Sequence, residues 1–401
     1  MDHIAPQPWM TDKATQRVLD ALEAAGGEGA ARFVGGCVRD TLVGLPVADV
    51  DIATPLTPDR VIAALEAAGV RSVPTGIEHG TVTAVADRRP FEVTTLRRDV
   101  ETDGRRAVVA FSEDWAEDAS RRDFRLNALY VDREGRLFDY VGGGVEDALA
   151  GRIVFVGDAE QRIREDYLRV LRFFRFYAWY GKGGPDADGL AACARLKDGL
   201  AKLSAERISK ELLRLLAAPD PKPAVRLMAE TGVLAVLLPF SLELKRFEDM
   251  VAISEDADLR LSALLADDPG IVAMAAERLR LANSQRDRLL AAASPVDLGL
   301  DPKAARGAIY RAGPPVFADR VLRAWAANPE RAQEARRLLE QAAGWTPPRF
   351  PLGGADVAAL GIPMGPEVGR LLREVETWWI AQDFPEIGAR KRLRDLAKDL
   401  K

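Results

Sequence analysis

Asp49 and Asp51 stand one residue apart in "VADVDIAT", downstream of a glycine pair and an arginine in "FVGGCVRDTLVG". The alternation of apolar and acidic residues reads as a strand, whose positions i and i+2 face one side. Asp49 and Asp51 should then project together while Val50 and Ile52 turn the other way. Parallel carboxylates repel, and a divalent cation relieves the repulsion. Magnesium held by carboxylates and substrate phosphates is what phosphoryl or nucleotidyl transfer requires, which makes Asp49 and Asp51 candidate metal ligands. Gly35 and Gly36, at the end of an apolar run, would let backbone N–H groups approach a phosphate, and a helix starting there would add favourable partial charge. By themselves the glycines say little, because neither the Gly-Lys-Ser/Thr of a P-loop nor G-x-G-x-x-G spacing is present. Arg39 beside them and the acid pair after them sharpen the signal. A third acid belongs on an adjacent strand, and Glu92 in "PFEVTTLRRD", flanked by Phe91 and Val93, is the candidate. Its bland alternative is a surface glutamate on an edge strand. Asp87 and Asp99 lie in turn-like sequence.

The elements that must position these residues change character near residue 155. Before it, β-rich runs such as "GTVTAVAD" and "FEVTTLR" alternate with helical stretches and read as a compact α/β unit. After it, Leu, Ala and Arg recur at helical spacing, from "QRIREDYLRVLRFFRFYAWYG" to "ERISKELLRLLAA". "GKGGPDADG" and "GWTPPRFPLGG" read as loops. A chain of 401 residues, 48% of them hydrophobic, has room for roughly two to three domains and a sizeable core. No apolar run approaches the ~18 residues of a membrane span. "MDHIAPQPWM" has neither a basic n-region nor an apolar h-region, so a cytoplasmic protein is expected. Cys37 and Cys193 are the only cysteines and His3 and His79 the only histidines, none at ligand spacing. A disulfide framework, a zinc site and a His-rich phosphohydrolase domain are excluded, and a metal here must be a hard cation on oxygen ligands.

The 56 basic and 61 acidic residues leave a net charge of -5, so any polyanion must be gripped by local patches rather than by an overall basic coat. One patch holds Arg162, Arg164, Arg169, Arg172 and Arg175; the other is the C-terminal "ARKRLRDLAKDLK". Each is otherwise a solvated helix face. Oligomeric state has no signature in the sequence.

Five ordered blocks carry a resemblance. "GGCVRDTLVG" with "DVDIAT", then "SRRDFRLNAL", "REDYLRVLRFFRF" and "LSAERISKEL" resemble the blocks of the class II tRNA nucleotidyltransferase and poly(A) polymerase family. "PLGGADVAALGIPMGPEVGRLL" looks like the tail of its bacterial CCA-adding branch, here without the His-rich phosphohydrolase domain. The resemblance implies an α+β fold: a polymerase β-like head over residues 1–155, a helical neck over 156–235, a helical body over 236–345 and a tRNA-binding tail over 346–401, in a curved shape. It implies that Gly36 and Arg39 contact the incoming triphosphate, that Asp49 and Asp51 hold magnesium ions, and that Arg122, Asp123 and Asn127 engage triphosphate and ribose. Arg125 stands where the family usually has threonine, a departure that bears on local packing. The implied activity is untemplated addition of C, C and A to the tRNA 3′ end from CTP and ATP with release of pyrophosphate. Poly(A) synthesis, partial CC or A addition, and an inactive tRNA-binding protein are the alternatives. "PTGIEHGTVTAV" resembles the CCA-adding form, and "RRDVETDGRRAVVAFSEDWAEDA" fills the place of the flexible loop that a CC-only enzyme should lack.

Within "REDYLRVLRFFRF" a chemical reading is open. On a helix, residues three apart share a face, so Asp166 and Arg169 should project together, with Arg172 and Arg175 further on. Cytosine and adenine both present an exocyclic amine beside a ring-nitrogen acceptor. A carboxylate from Asp166 accepts from the first and a guanidinium from Arg169 donates to the second, whereas uracil and guanine present the reverse pattern. Otherwise Asp166 and Arg169 form an ordinary i,i+3 salt bridge.

Overall fold

The computed structural model describes residues 2–103 and 106–398, and for residues 99–109 the backbone alone. The chain divides into two compact units, Met1–Pro239 and Phe240–Lys401. The first opens with α1 (Pro8–Thr11), α2 (Lys13–Gly26), β1 (Arg32–Val34), α3 (Gly36–Leu42), β2 (Asp51–Thr54) and α4 (Pro58–Ala67). There follow β3 (Arg71–Gly76), β4 (Thr81–Ala86), β5 (Arg89–Thr95), β6 (Arg97–Asp103), β7 (Arg106–Phe111), α5 (Trp115–Ser120), β8 (Leu129–Val131), β9 (Leu137–Asp139) and α6 (Gly144–Ala150). Helices then take over, with α7 (Ala159–Glu165), α8 (Leu168–Tyr180), α9 (Ala187–Leu196), α10 (Ala205–Leu216), α11 (Lys222–Glu230) and α12 (Val233–Leu237).

Seven strands form one mixed sheet in the order β3-β4-β5-β2-β1-β8-β9. Period-two alternation sorts its faces: Val82, Ala84 and Ala86 of β4 and Phe91, Val93 and Thr95 of β5 are buried between more open neighbours. Phe33, Ile52, Val82 and Val93 meet Val18, Leu19 and Leu22 of α2 and Val61 and Leu65 of α4 in one core, each such burial contributing about 1.5–3 kcal/mol. A smaller core on Val34, Ala53, Leu96, Ala128 and Tyr130 covers part of the other face. β2 runs parallel to β5, so their chain ends lie at the same edge, and Asp51 falls in register with Glu92. The segment that fills the place of the flexible loop, 97–119, is largely the β6–β7 ladder, a sheet of its own, followed by α5; residues 104 and 105 within it lie outside the described residues. Asp99 accordingly sits on β6 opposite Val109 rather than in a turn, while Asp87, at φ 50°, does turn the chain between β4 and β5.

The second unit is helical: α13 (Leu244–Ile253), α14 (Ala257–Leu264), α15 (Pro269–Arg278), α16 (Asn283–Ala292), α17 (Pro302–Ala312), α18 (Pro314–Ala327), α19 (Ala332–Gly344), α20 (Gly354–Ala358), α21 (Pro366–Ala381) and α22 (Ala389–Lys398). On α22, Ala389, Leu393 and Ala397 repeat every four residues and pack inward, which leaves Arg390, Lys391 and Arg394 exposed. Among the described residues no helix is long and apolar enough to cross a membrane. The architecture is α+β, as the sequence implied.

Candidate functional site

Asp51 opens β2 and is half-buried, with Ile52 and Ala53 sealed behind it. Asp49 does not share that strand. It lies exposed in the segment before β2, so the two carboxylates are neighbours across a strand start rather than successive positions of one strand. Glu92 is exposed on β5, which has β4 on one side and β2 on the other, so it is not an edge-strand residue. Burial first, then the charge of Glu92 and also that of Asp49, push the Asp51 carboxyl up to about 6, against Arg122 and Arg39, which pull it down. None of the three carboxylates has a hydrogen bond or ion pair among the described residues. Nor, among the described residues, do any three acidic, His or Cys side chains come together so as to hold a metal ion.

Gly35 ends β1 at φ 72°, a left-handed backbone that suits glycine, and a methyl placed on it would lie 3.7 Å from Nη1 of Arg122. Arg122 is fixed from behind. Its Nε donates to the Tyr130 hydroxyl at 3.0 Å and its Nη2 to Asp118 at 3.0 Å. Asp118 is 1% exposed; burial opposes its charge, but Arg122 and Arg121, with the hydrogen bond from Tyr130 at 2.6 Å, hold its carboxyl well below the usual range.

Arg39, Asn127, Asp123 and Arg172 form one hydrogen-bonded chain. Arg39 Nη1 donates to Asn127 Oδ1 at 2.6 Å, Asn127 Nδ2 to Asp123 Oδ1 at 3.1 Å, and Arg172 Nε to Asp123 Oδ2 at 2.7 Å. Asp123 also accepts from the Phe124 N–H at 2.8 Å. Although burial opposes its charge, Arg172 and these donors hold its carboxyl at about 2. Arg175 is taken up by the buried Glu211 of α10 at 2.6 Å. Arg125, at the position where threonine is usual, lies against Gly143 and 3.9 Å from Asp147, a packing role.

The expected helix face of Asp166 and Arg169 is not formed. Asp166 interrupts the helical run between α7 and α8 with extended backbone (φ -152°, ψ 106°), because its carboxylate takes up the Leu168 N–H at 3.1 Å and caps α8. The two side chains are not ion-paired to each other either: Asp166 Oδ2 accepts from Arg207 Nη2 at 2.7 Å, and Arg169 Nη1 donates to Glu165 at 2.6 Å. The simple i,i+3 salt bridge is absent as well. Arg207 thus joins Asp118, Tyr130, Tyr180 and Glu211 as residues near this site that sequence reasoning did not pick out. Asp118 was findable from its i+3 and i+4 spacing to Arg121 and Arg122; Tyr180 carries no sequence signal.

Residues 31–154 match the family described as poly A polymerase head domain, and residues 186–244 match a probable RNA and SrmB-binding site of polymerase A. The human mitochondrial CCA tRNA nucleotidyltransferase 1 is 35% identical over 365 residues, covering 87% of this chain and 82% of that protein. The CCA-adding enzyme of Geobacillus stearothermophilus is 40% identical over 211 residues, about half of each chain (52% and 50%). The crystal structure of the Bacillus stearothermophilus CCA-adding enzyme in complex with CTP superposes with a TM-score of 0.75 at 27% identity, over 97% of this chain and 99% of that one. A Thermotoga maritima CCA-adding enzyme complexed with tRNA shares the fold, with a TM-score of 0.70 at 17% identity over the whole of both chains.

Proposed function

From the premise that this chain belongs to the class II tRNA nucleotidyltransferase and poly(A) polymerase family, we propose that it adds C, C and A without a template to the 3′ end of tRNA. It takes CTP and ATP and releases pyrophosphate. The observation that carries this reading is the carboxylate set: Asp51 in register with Glu92, Asp49 beside it, and the Asp51 carboxyl pushed up to about 6 by burial and these neighbours. The carboxylates of Asp49 and Asp51, neither of them hydrogen-bonded or ion-paired among the described residues, offer the oxygen donors of a hard divalent cation and would hold Mg2+ together with the substrate phosphates. When bound, such a cation offsets triphosphate charge and acidifies the terminal 3′-hydroxyl.

The remaining roles belong to the chain. The backbone at Gly35 and Gly36, with Arg39 and Arg122, grips the triphosphate; Asp123 and Asn127 fix that grip and meet the ribose. Glu92, exposed beside Asp51, takes the proton of the tRNA 3′-hydroxyl. The oxygen then bonds to the α-phosphate as the bond to the β-phosphate breaks and pyrophosphate leaves. Asp166 and Arg169 read the base edge, with Arg172 and Arg175 behind them; Arg207 and Glu165 hold the two readers apart in their present orientation. The exposed cations of α22 meet tRNA phosphates. We read residues 1–155, 156–235, 236–345 and 346–401 as head, neck, body and tail, and place the protein in the cytoplasm, in keeping with Cys37 and Cys193 being buried free thiols.

Incubation of tRNA lacking its 3′ end with labelled ATP and CTP, each alone and both together, tests the reading. Both nucleotides together should restore full CCA. Runs of A from ATP alone would indicate a poly(A) polymerase, arrest after CC a partial enzyme, and no incorporation a binding protein.

A further inference from the structure

Arg39 is only 7% exposed, and a guanidinium is tolerated at that depth when its N–H groups find partners. Partners come from three directions. Nε donates to Asp40 at 2.9 Å, Nη1 to Asn127 at 2.6 Å and Nη2 to the hydroxyl of Tyr180 at 2.7 Å. Asp40 is the next residue along the chain and Asn127 belongs to the head, whereas Tyr180 is the last residue of α8. Its ring lies under the guanidinium, 4.1 Å from Cζ, and Phe176 follows at 5.2 Å in the same stack. No other residue of α8 reaches Arg39 with both a ring face and a hydrogen-bond acceptor.

We propose that Tyr180 is a positioning residue for the triphosphate grip, holding Arg39 from the end of α8 opposite to the one that bears Arg169. The proposal rests on the reading of Arg39 given above. Arg169 and Tyr180 are eleven residues apart on one helix, about 16 Å at ~1.5 Å per residue. A nucleotide that sets its base against Arg169 and its phosphates against Arg39 therefore meets two groups spaced by a single rigid rod. Tyr180 transmits that spacing to Arg39.

The variant Y180F keeps the ring and removes both the acceptor for Arg39 and the hydroxyl's hydrogen bond to Asp40, itself a partner of Arg39. It should raise KM for both CTP and ATP by roughly 3- to 10-fold, the range of one net hydrogen bond. The turnover number and the KM for tRNA should stay at wild-type values, and the melting temperature should fall by no more than the few degrees one hydrogen bond is worth. R39K should raise nucleotide KM by itself, and Y180F should add nothing in the R39K background, because the hydroxyl acts through the guanidinium. A wild-type nucleotide KM in Y180F overturns the proposal, as does full additivity with R39K. So does a fall in melting temperature together with a rise in the KM for tRNA, which would mark a purely structural role. A wild-type nucleotide KM in R39K would instead remove the reading of Arg39 and the proposal with it, whereas an impaired R39K beside an unimpaired Y180F sinks the role of Tyr180 alone.

Discussion

Asp49, Asp51 and Glu92 carry three carboxylates that have no hydrogen bond or ion pair among the described residues, while Arg39, Arg122, Asp123, Asn127 and Arg172 are tied into partners through most of their polar atoms. Both sets influence Asp51: Glu92 and Asp49 raise its proton affinity, while Arg122 and Arg39 lower it. On the function proposed above, these would be two ways to prepare for a charged ligand. The acidic side, without a direct ion pair, would leave an incoming cation to supply what folding did not. The basic side, organised in advance, would need little reorganisation to bind phosphate.

Breaking each side should therefore give opposite signs in stability. The largest effect is expected from Asp51→Asn, which should slow transfer by on the order of 10²–10³ or more and yet make the metal-free protein more stable at pH 7.5. Asp51 has a folded pKa of about 6 against an ordinary 3.8, so its contribution favours folding fully below pH ~4 and is lost as pH rises through about 6. At about 1.4 kcal/mol per tenfold in proton affinity the gain is at most about 3 kcal/mol. It should vanish when melting in a chelator is repeated at pH 4. A variant less stable than wild type at pH 7.5 would refute the idea of an uncompensated acidic side.

Asp123→Ala should do the reverse and lose both activity and stability. It leaves Arg172 with only the longer pair to Glu211 at 4.0 Å, and since breaking a fully buried pair costs about 3–5 kcal/mol, the loss for this half-buried guanidinium should fall below that range. Here the folded pKa, about 2, lies below the ordinary 3.8, so the carboxylate stabilises fully above pH ~4 and the benefit disappears as pH falls through 2. Urea titrations of wild type and Asp123→Asn should differ at pH 7 and converge near pH 2.

Asp166 stands between the two designs, a half-buried carboxylate engaged by Arg207 and the Leu168 N–H. A base-edge pair is worth roughly 1–3 kcal/mol of discrimination, or about 5- to 150-fold. Asp166→Ala should thus raise UTP and GTP use relative to CTP and ATP by that range, while Asp51→Asn silences all four alike. Single-nucleotide incorporation assays decide; unchanged selectivity in both Asp166→Ala and Arg169→Ala would move base choice elsewhere.

The smallest effect belongs to α22, where Arg390 and Arg392 already face Asp356 and Glu374 at 3.5 and 4.0 Å. Neutralising Arg390, Lys391, Arg392 and Arg394 should flatten the log-log salt dependence of tRNA binding by roughly 0.7–0.9 per lost phosphate contact. An unaltered slope would return the helix to a solvated face.

Sequence reasoning reached the parts of the site governed by local periodicity. Glu92 followed from strand alternation, Gly35 from its turn, and the helical character beyond residue 155 from apolar spacing. It misplaced Asp49 and Asp166 because both stand at element boundaries, where capping and strand starts override a period. Asp166 spends its carboxylate on the α8 N-terminus, which continuous helical spacing does not anticipate. Glu211, Arg207 and Tyr180 were out of reach for another reason: their partners Arg175, Asp166 and Arg39 lie 36, 41 and 141 residues away, and only tertiary packing brings them together.

The sheet order also bears on how the chain is made. β1 sits between β2 and β8, yet β2 follows it within 20 residues while β8 begins only at Leu129. A nascent chain emerging N-terminus first leaves one edge of β1, the strand that leads into Gly35, without its neighbour until some 95 more residues have been added. At ~5–20 residues per second that is about 5–20 s. Throughout that interval Phe33 and Val34 belong to an open strand edge, a template for pairing with other chains. Synthesis paused between β2 and β8 should therefore give the most aggregation-prone fragments of the head, and chains extended past Val131 should be markedly less so.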